Sequence, residues 1–290
     1  MCDIVNPWIG ISWGKTIADC DKKYFEDNND GSLENYVNKV NKKDIKNGKV
    51  VDNPIKLTFT DCLPEPFSGE INSEVYCLCM NPGDPDPNFC SANDKNRVYE
   101  KQAKLILEQR LEPHQLLIPH YFDNMMFDGK IIKEDKKAFV DYFFKGVKSS
   151  SKPHLGAIWQ RNVWNPLIKE LKMDPCVFII EYFPYHSHKG FNFPKDLPSY
   201  KYRNQLIRYA MEKHKLIVIM RKEEDWYNIE DENLGIDLKK YPNKILLKGN
   251  QRLKLSRNSF CRDVDISIFE KEIPNWVCKN MDEVIDKFKL

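Results

Sequence analysis

The 290-residue sequence has no long apolar run, no paired cysteines and almost no net charge. None of its apolar segments approaches the roughly 18 consecutive residues that a membrane-spanning helix needs. The N-terminus also lacks the basic-then-apolar pattern of a secretory signal. We therefore expect a cytosolic protein that makes no contact with a membrane.

The nine cysteines form no C-x-x-C pair, and their odd number argues against a disulfide framework. Cys77 and Cys79 alternate within one apolar segment, so both side chains point to the same face of a strand and serve as small buried hydrophobes. A metal or iron–sulfur site built from these two, Cys90 and a histidine would match no known ligand spacing. We expect neither a metal nor a cofactor.

A balance of 45 basic against 43 acidic residues gives a net charge of +2, so only local clustering of charge can indicate a nucleic-acid partner. A hydrophobic fraction of 41 % with 12 % aromatic residues is typical of a packed globule. Residues 1–55 are predicted to form a helical extension packed on the core, and residues 56–290 an α/β domain.

Four short apolar segments, separated by helical patterns, predict the core of that domain. They are 75–79, 176–180, 216–220 and 245–247. Strands of this kind, alternating with helices, form a parallel sheet covered on both faces. The predicted fold is a three-layer α/β/α arrangement around a short four-stranded parallel sheet.

The segment 75–79 ends abruptly at Asn81-Pro82-Gly83. Pro82 removes a backbone donor and favours an extended conformation at Asn81, while Gly83 permits a turn that other residues resist. The side chain of Asn81 is thereby held at the carboxyl end of a buried strand. Ligands of open α/β sheets bind at that edge.

The sequence resembles the uracil-DNA glycosylase superfamily over residues 63–260. The resemblance lies in the motif Met80-Asn81-Pro82-Gly83, in the approach Leu63-Pro-Glu-Pro-Phe67 and in the three further strands. The Asn-Pro-Gly form is similar to that of its mismatch-specific thymine/uracil branch. The resemblance implies a monofunctional DNA N-glycosylase that flips a base out of DNA and leaves an abasic site, with Asn81 positioning the water. Asp86 is the candidate carboxylate that assists it.

The same resemblance implies a pocket for the flipped base. Its candidate residues are Met80, Gly83, Phe89, Glu181, Tyr185 and His186. Glu181 stands where uracil-specific members carry an asparagine, and an ionised carboxylate only accepts hydrogen bonds. A base that bears an amino or hydroxymethyl group fits this acceptor better than uracil does. A Cys–His or Ser–His nucleophilic dyad that includes His186 is the competing interpretation, but no G-x-S-x-G elbow supports it.

From Lys244 to Arg262 the chain carries six basic residues and no acidic one, which is its clearest signal for phosphate binding. The predicted DNA-binding residues are Lys248, Asn250, Arg252, Lys254, Ser256 and Arg257. Leu253 or Leu255 is the candidate wedge that fills the gap left by a flipped nucleotide. The expected partner is DNA, bound by a monomer. A non-catalytic DNA-binding member of the same fold and a nucleotide or nucleoside hydrolase remain the alternatives.

Overall fold

A computed structural model describes residues 6–12, 15–28, 30–46, 63–69, 71, 73–83, 126–127, 130–131, 163, 166–167, 170–171, 177–187, 192–229, 235–247 and 255–269. Its helices are α1 (Asp19–Asp27), α2 (Leu33–Lys46), α3 (Tyr200–Glu212) and α4 (Glu223–Tyr227). Its strands are β1 (Phe67–Gly69), β2 (Val75–Cys79), β3 (Met126–Phe127), β4 (Lys130–Ile131), β5 (Phe178–Glu181), β6 (Leu216–Ile219) and β7 (Lys244–Leu246). Two short 3-10 helices, Arg257–Ser259 and Ile266–Phe269, follow β7.

The main sheet has five strands in the order β1-β5-β2-β6-β7, and β3 and β4 pair separately. Four of the five strands run parallel, and they are the four that the apolar segments predict. The expectation of a four-stranded sheet is wrong, because β1 adds an antiparallel edge strand whose Phe67 pairs with Ile180 of β5. With only three residues, one of them a glycine, β1 carries no strand signal in the sequence.

One face of the sheet packs against the helices α1, α2 and α3. Its side chains include Tyr76, Leu78, Phe178, Ile180 and Ile217. The helices contribute Phe25, Leu33, Val37, Leu206, Ile207 and Ala210 to the same cluster. Helix α2 lies in the N-terminal extension that is predicted to be helical, and α3 lies between the predicted strands 176–180 and 216–220.

The opposite face is covered by residues from two other parts of the chain. Cys77 and Cys79 lie there side by side with Val218, as their alternation predicts, and both thiols are free and buried. Val163, Leu167 and Leu171, which have helical backbone, pack on this face together with Leu255, Phe260 and Phe269. The parallel strands are therefore buried on both sides, which explains their continuous apolar sequences.

A buried carboxylate connects the N-terminal segment to the rest of the core. Asp21 of α1 is 0 % exposed and accepts hydrogen bonds from the Tyr185 hydroxyl (2.7 Å), the Ser199 backbone N–H (2.9 Å) and the Ser199 hydroxyl (2.7 Å). Ser199 is the N-cap of α3, so the carboxylate also lies at the positive end of that helix. Nearby, the ring of Trp8 contacts that of Tyr185 edge-on, so the segment around Trp8 is also anchored to the core.

Among the described helices, none is long and apolar enough to cross a membrane.

Candidate active site at the carboxyl edge of the sheet

Asn81 lies two residues beyond β2, the central strand of the sheet, at its carboxyl end. Its side chain is half-buried, and its Nδ2 donates to the carbonyl oxygen (3.0 Å) and the hydroxyl oxygen (3.1 Å) of Ser187. Because a backbone carbonyl can only accept, this contact fixes which end of the amide is nitrogen. The Oδ1 atom of Asn81 is left as an acceptor, and no described residue donates to it.

Gly83 completes the turn with a φ of +77°, a conformation that costs glycine nothing and other residues about 1 kcal/mol or more. Its carbonyl oxygen lies 3.0 Å from Nδ1 of His186. The other ring nitrogen of His186, Nε2, lies 3.1 Å from the carbonyl oxygen of Leu63 and 3.7 Å from a carboxylate oxygen of Glu65. His186 is only 3 % exposed, so its ring bridges the Asn81–Gly83 turn and the segment before β1.

Tyr185 and Met80, two further candidates for the base pocket, lie in the core. Tyr185 is 0 % exposed, and its hydroxyl accepts from the Ala18 N–H (3.2 Å) while donating to Asp21. Burial and the neighbouring Asp21 carboxylate hold the pKa of Tyr185 well above its usual value. Met80 is 9 % exposed and belongs to the same cluster. The structure therefore places the Asn81 amide at the edge of the sheet, whereas the Tyr185 ring is part of the hydrophobic core and not of an open pocket.

Glu181 is the last residue of β5, directly beside Cys79 of β2. It is half-buried and, with Tyr182, Tyr200 and Arg203 among others, lines a narrow cavity of about 10 Å³. That volume is roughly what one water molecule needs. The cavity as it stands admits a water molecule but no nucleobase.

Arg203 lines this cavity and places a buried positive charge beside it. Its guanidinium carbon lies 3.9 Å from the ring centroid of Tyr200 and 4.5 Å from that of Tyr182, and its Nη1 donates to the Tyr182 carbonyl oxygen (2.9 Å). Burial lowers the pKa of Arg203 below its usual value, and the neighbouring tyrosines offset only part of that shift. The guanidinium thus fixes the backbone that follows Glu181.

Two described residues of the basic segment, Lys244 and Arg262, lie away from Asn81. Lys244 Nζ donates to the carbonyl oxygens of Lys239 and Tyr241, and Arg262 contacts the side chain of Asn243 at 3.4 Å. These contacts lie at the amino end of β7, since Lys244 pairs with Ile217 near the start of β6. The first and last basic residues of the segment therefore lie at the edge opposite Asn81.

The described part of the segment from residue 255 onward packs against the core. Leu255 is 0 % exposed, and its N–H donates to the Val163 carbonyl oxygen (2.7 Å), so it cannot act as the wedge proposed from the sequence. Ser256 is half-buried; its N–H donates to the Ser259 hydroxyl (2.9 Å), which in turn donates to the Ser256 carbonyl oxygen (2.7 Å). Arg257 begins the 3-10 helix that follows. This reciprocal pair fixes the turn in which Arg257 lies.

Two basic residues at the candidate site escaped the sequence analysis. Leu78 pairs with Ile219, so Arg221 and Lys222 follow β6 at the same edge of the sheet at which Met80 and Asn81 follow β2. Both side chains are exposed, and Lys222 adopts a left-handed φ of +48°. Burial and, to a smaller extent, the Glu181 carboxylate hold the pKa of Cys79 well above its usual value, and the positive charge of Arg221 opposes part of that shift. No sequence pattern predicts a lysine in the left-handed conformation directly after a strand, which is why the sequence does not identify Lys222 as a site residue.

The other predicted site residues lie outside the described part of the chain: Asp86, Phe89, Lys248, Asn250, Arg252 and Lys254, together with the alternative wedge Leu253. Within the described residues, no group of three or more His, Cys, Asp or Glu side chains is arranged to hold a metal ion. The site that the structure does define consists of Asn81, Gly83, His186 and Ser187, with Arg221 and Lys222 alongside.

The chain matches no protein-family model, no curated protein and no solved structure.

Proposed function

We propose that this protein is a monofunctional DNA N-glycosylase of the uracil-DNA glycosylase type, which releases a modified base from DNA without a metal or cofactor. The observation that carries the proposal is the Asn81 amide at the carboxyl end of the central parallel strand. Its nitrogen is held by Ser187 and its carbonyl oxygen remains available as an acceptor. The mostly parallel α/β sheet supports the three-layer glycosylase-like architecture that the sequence resembles.

The chemistry suits a neutral amide. Cleavage of an N-glycosidic bond passes through an oxocarbenium-like sugar, so the attacking water needs orientation more than deprotonation. Asn81 Oδ1 can accept a hydrogen bond from that water and hold it in line with the sugar. Ser187 supports this role, because an amide that donates twice to one residue cannot rotate without losing both bonds.

The preferred substrate follows from Glu181. Its carboxylate, at the end of β5, offers an acceptor next to the strand that carries Asn81. An acceptor of this kind favours a base with an amino or hydroxymethyl donor and discriminates against an analogue that lacks the donor. Because the present cavity beside Glu181 holds about one water molecule, base entry requires Tyr182 or Tyr200 to move.

DNA binding is proposed for the segment from Lys248 to Arg257 and for Arg221 and Lys222. Replacing Arg252 and Lys254 together with alanine should weaken binding equally for every sequence. Each lost phosphate contact should also lower the slope of log K against log salt by about one. An unchanged slope would remove this segment from the DNA surface.

The test is single-turnover base release from a panel of oligonucleotides, each with one altered base, followed by alkaline cleavage of abasic sites. Asn81→Ala should slow release at least about 100-fold while leaving DNA affinity unchanged. Asn243→Ala is the matched control, since that amide donates to the His214 carbonyl oxygen at the opposite edge and should leave the rate unaltered.

Three results would overturn the proposal. Equal rates for wild type and Asn81→Ala would remove Asn81 from the mechanism. Tight DNA binding with no base released from any oligonucleotide would identify a non-catalytic DNA-binding protein. Release of bases from nucleosides but not from DNA would identify a nucleoside hydrolase.

A further inference from the structure

Both ring nitrogens of His186 face backbone carbonyl oxygens. Nδ1 lies 3.0 Å from the Gly83 oxygen, and Nε2 lies 3.1 Å from the Leu63 oxygen. The ring is 3 % exposed, so water has little access to either contact. These two carbonyl oxygens come from segments that lie on either side of β2 in the chain.

This geometry has a consequence for protonation. A carbonyl oxygen only accepts, and a neutral imidazole carries one N–H donor and one acceptor nitrogen. A neutral ring would therefore direct a nitrogen lone pair at one of the two oxygens. The imidazolium form donates to both, and the Glu65 carboxylate, 3.7 Å from Nε2, supplies the opposite charge.

The contacts of His186 and the next residue hold both ends of the Asn81–Gly83 turn. His186 binds the Gly83 carbonyl at the end of the turn, and Ser187 binds the Asn81 amide at its start. A neutral ring protonated at Nε2 would lose the bond to the Gly83 carbonyl, and one protonated at Nδ1 would lose the bond to the Leu63 carbonyl. Either tautomer therefore breaks the bridge between the turn and the segment before β1. The hold of the His186 ring on the turn that carries Asn81 therefore depends on the protonation of that ring.

We infer that His186 is a positioning residue that clamps the Asn81–Gly83 turn only while both of its ring nitrogens carry protons. The catalytic consequence rests on the proposed glycosylase function, but the clamp itself does not. Glu65 is the titratable group that faces the ring from the segment before β1. The described turn 80–83 contributes no titratable side chain, and on the ring's own segment the Tyr185 hydroxyl is bound to Asp21. Raising the pH until the ring loses one proton should loosen the turn.

The first experiment records the ¹⁵N signals of the His186 ring and of the Asn81 side-chain amide in the intact protein between pH 5 and pH 9. We expect two protonated ring nitrogens at low pH, and a change in the Asn81 amide signal at the same pH at which His186 loses a proton. A ring that keeps one unprotonated nitrogen across the whole range would overturn the proposal. So would an Asn81 amide signal that does not follow the ring.

The second experiment compares His186→Gln with His214→Asn, an exposed histidine with a left-handed φ of +54°, where asparagine is well tolerated. His186→Gln should abolish the pH-dependent change of the Asn81 signal and slow base release about 10- to 100-fold at low pH. His214→Asn should preserve both. A pH-dependent Asn81 signal that persists in His186→Gln would refute the clamp. Absence of base release in wild type, with the NMR behaviour intact, would refute the glycosylase function alone.

Discussion

Replacing Tyr185 with phenylalanine removes one oxygen atom from the core and leaves the packing of the ring against Trp8 and Phe183 in place. The lost hydroxyl donates to the buried carboxylate of Asp21 (2.7 Å) and accepts from the Ala18 N–H (3.2 Å). A hydrogen bond to a charged group contributes about 1.5–3 kcal/mol, and a buried N–H left without an acceptor costs about 1–3 kcal/mol. We therefore expect Tyr185→Phe to lower the free energy of unfolding by about 3 kcal/mol, a large part of the ~5–15 kcal/mol typical of a domain.

The matched control is Tyr76→Phe. The Tyr76 ring is also 0 % exposed, but its hydroxyl donates to a neutral acceptor, the Ile71 carbonyl oxygen. Loss of that bond should cost about 1 kcal/mol. Urea denaturation followed by circular dichroism measures both values, and m should stay constant if the unfolded state is unaltered.

A double-mutant cycle assigns the effect to the carboxylate. Asp21→Ala leaves the Tyr185 and Ser199 donors without their acceptor and should cost about 1–3 kcal/mol for each buried donor. Since both variants disrupt the same contact, the combined variant should lose less than the sum, by about 1 kcal/mol or more. Strict additivity, or a Tyr185→Phe cost no larger than that of Tyr76→Phe, would refute the role assigned to this network.

Four further predictions concern single groups. Burial raises the folded-state pKa of Asp21 above its unfolded value of about 3.9. The stability that protonated Asp21 contributes is therefore complete below that pH and is lost as the pH rises through the folded-state pKa. In urea titrations, the stability of wild type relative to Asp21→Asn should accordingly fall above about pH 4. Lys222→Gly should raise the free energy of unfolding by about 1 kcal/mol, because it relieves a φ of +48°, and should weaken DNA binding in a fluorescence anisotropy assay. Exposed Cys261 should react with a thiol reagent in the native protein, whereas Cys77, whose pKa burial raises, should react only on unfolding, as peptide mass spectrometry can show. Glu181→Gln should reduce the preference for amino- or hydroxymethyl-bearing bases over uracil in matched oligonucleotides, and an unchanged preference would make the carboxylate structural.

The parallel strands could be predicted because burial on both faces leaves a direct record in the sequence. Strand β2 is apolar at every position, and the same holds for β6. Helix α1 could not be predicted in this way. Its Asp21 is completely buried at a position where an acidic side chain normally indicates a surface, and only the distant Tyr185 and Ser199 make that burial possible.

The candidate site could be predicted in part for a similar reason. The position of Asn81 follows from the strand and from the Pro-Gly turn, both of which are local. Its orientation does not, because the acceptors for its amide belong to Ser187, 106 residues away. The partners of His186 are backbone carbonyls, one of them 123 residues distant, and any residue type could supply them. Contacts of this kind depend on the assembled sheet and leave no pattern in the sequence.

The segment that follows β5 connects the stability of the core to the geometry of the site. Tyr185 is bound to the N-terminal segment through Asp21 and Ala18, while the next two residues hold the Asn81–Gly83 turn. Displacement of Tyr185 by even a fraction of a hydrogen-bond length would move the backbone that presents His186 and Ser187. We therefore expect the N-terminal helices, which carry no predicted catalytic group, to influence the position of Asn81 through residues 185–187. A variant such as Tyr185→Phe should accordingly disturb the Asn81 amide signal as well as stability, whereas Tyr76→Phe, whose partner Ile71 precedes β2, should lower stability alone.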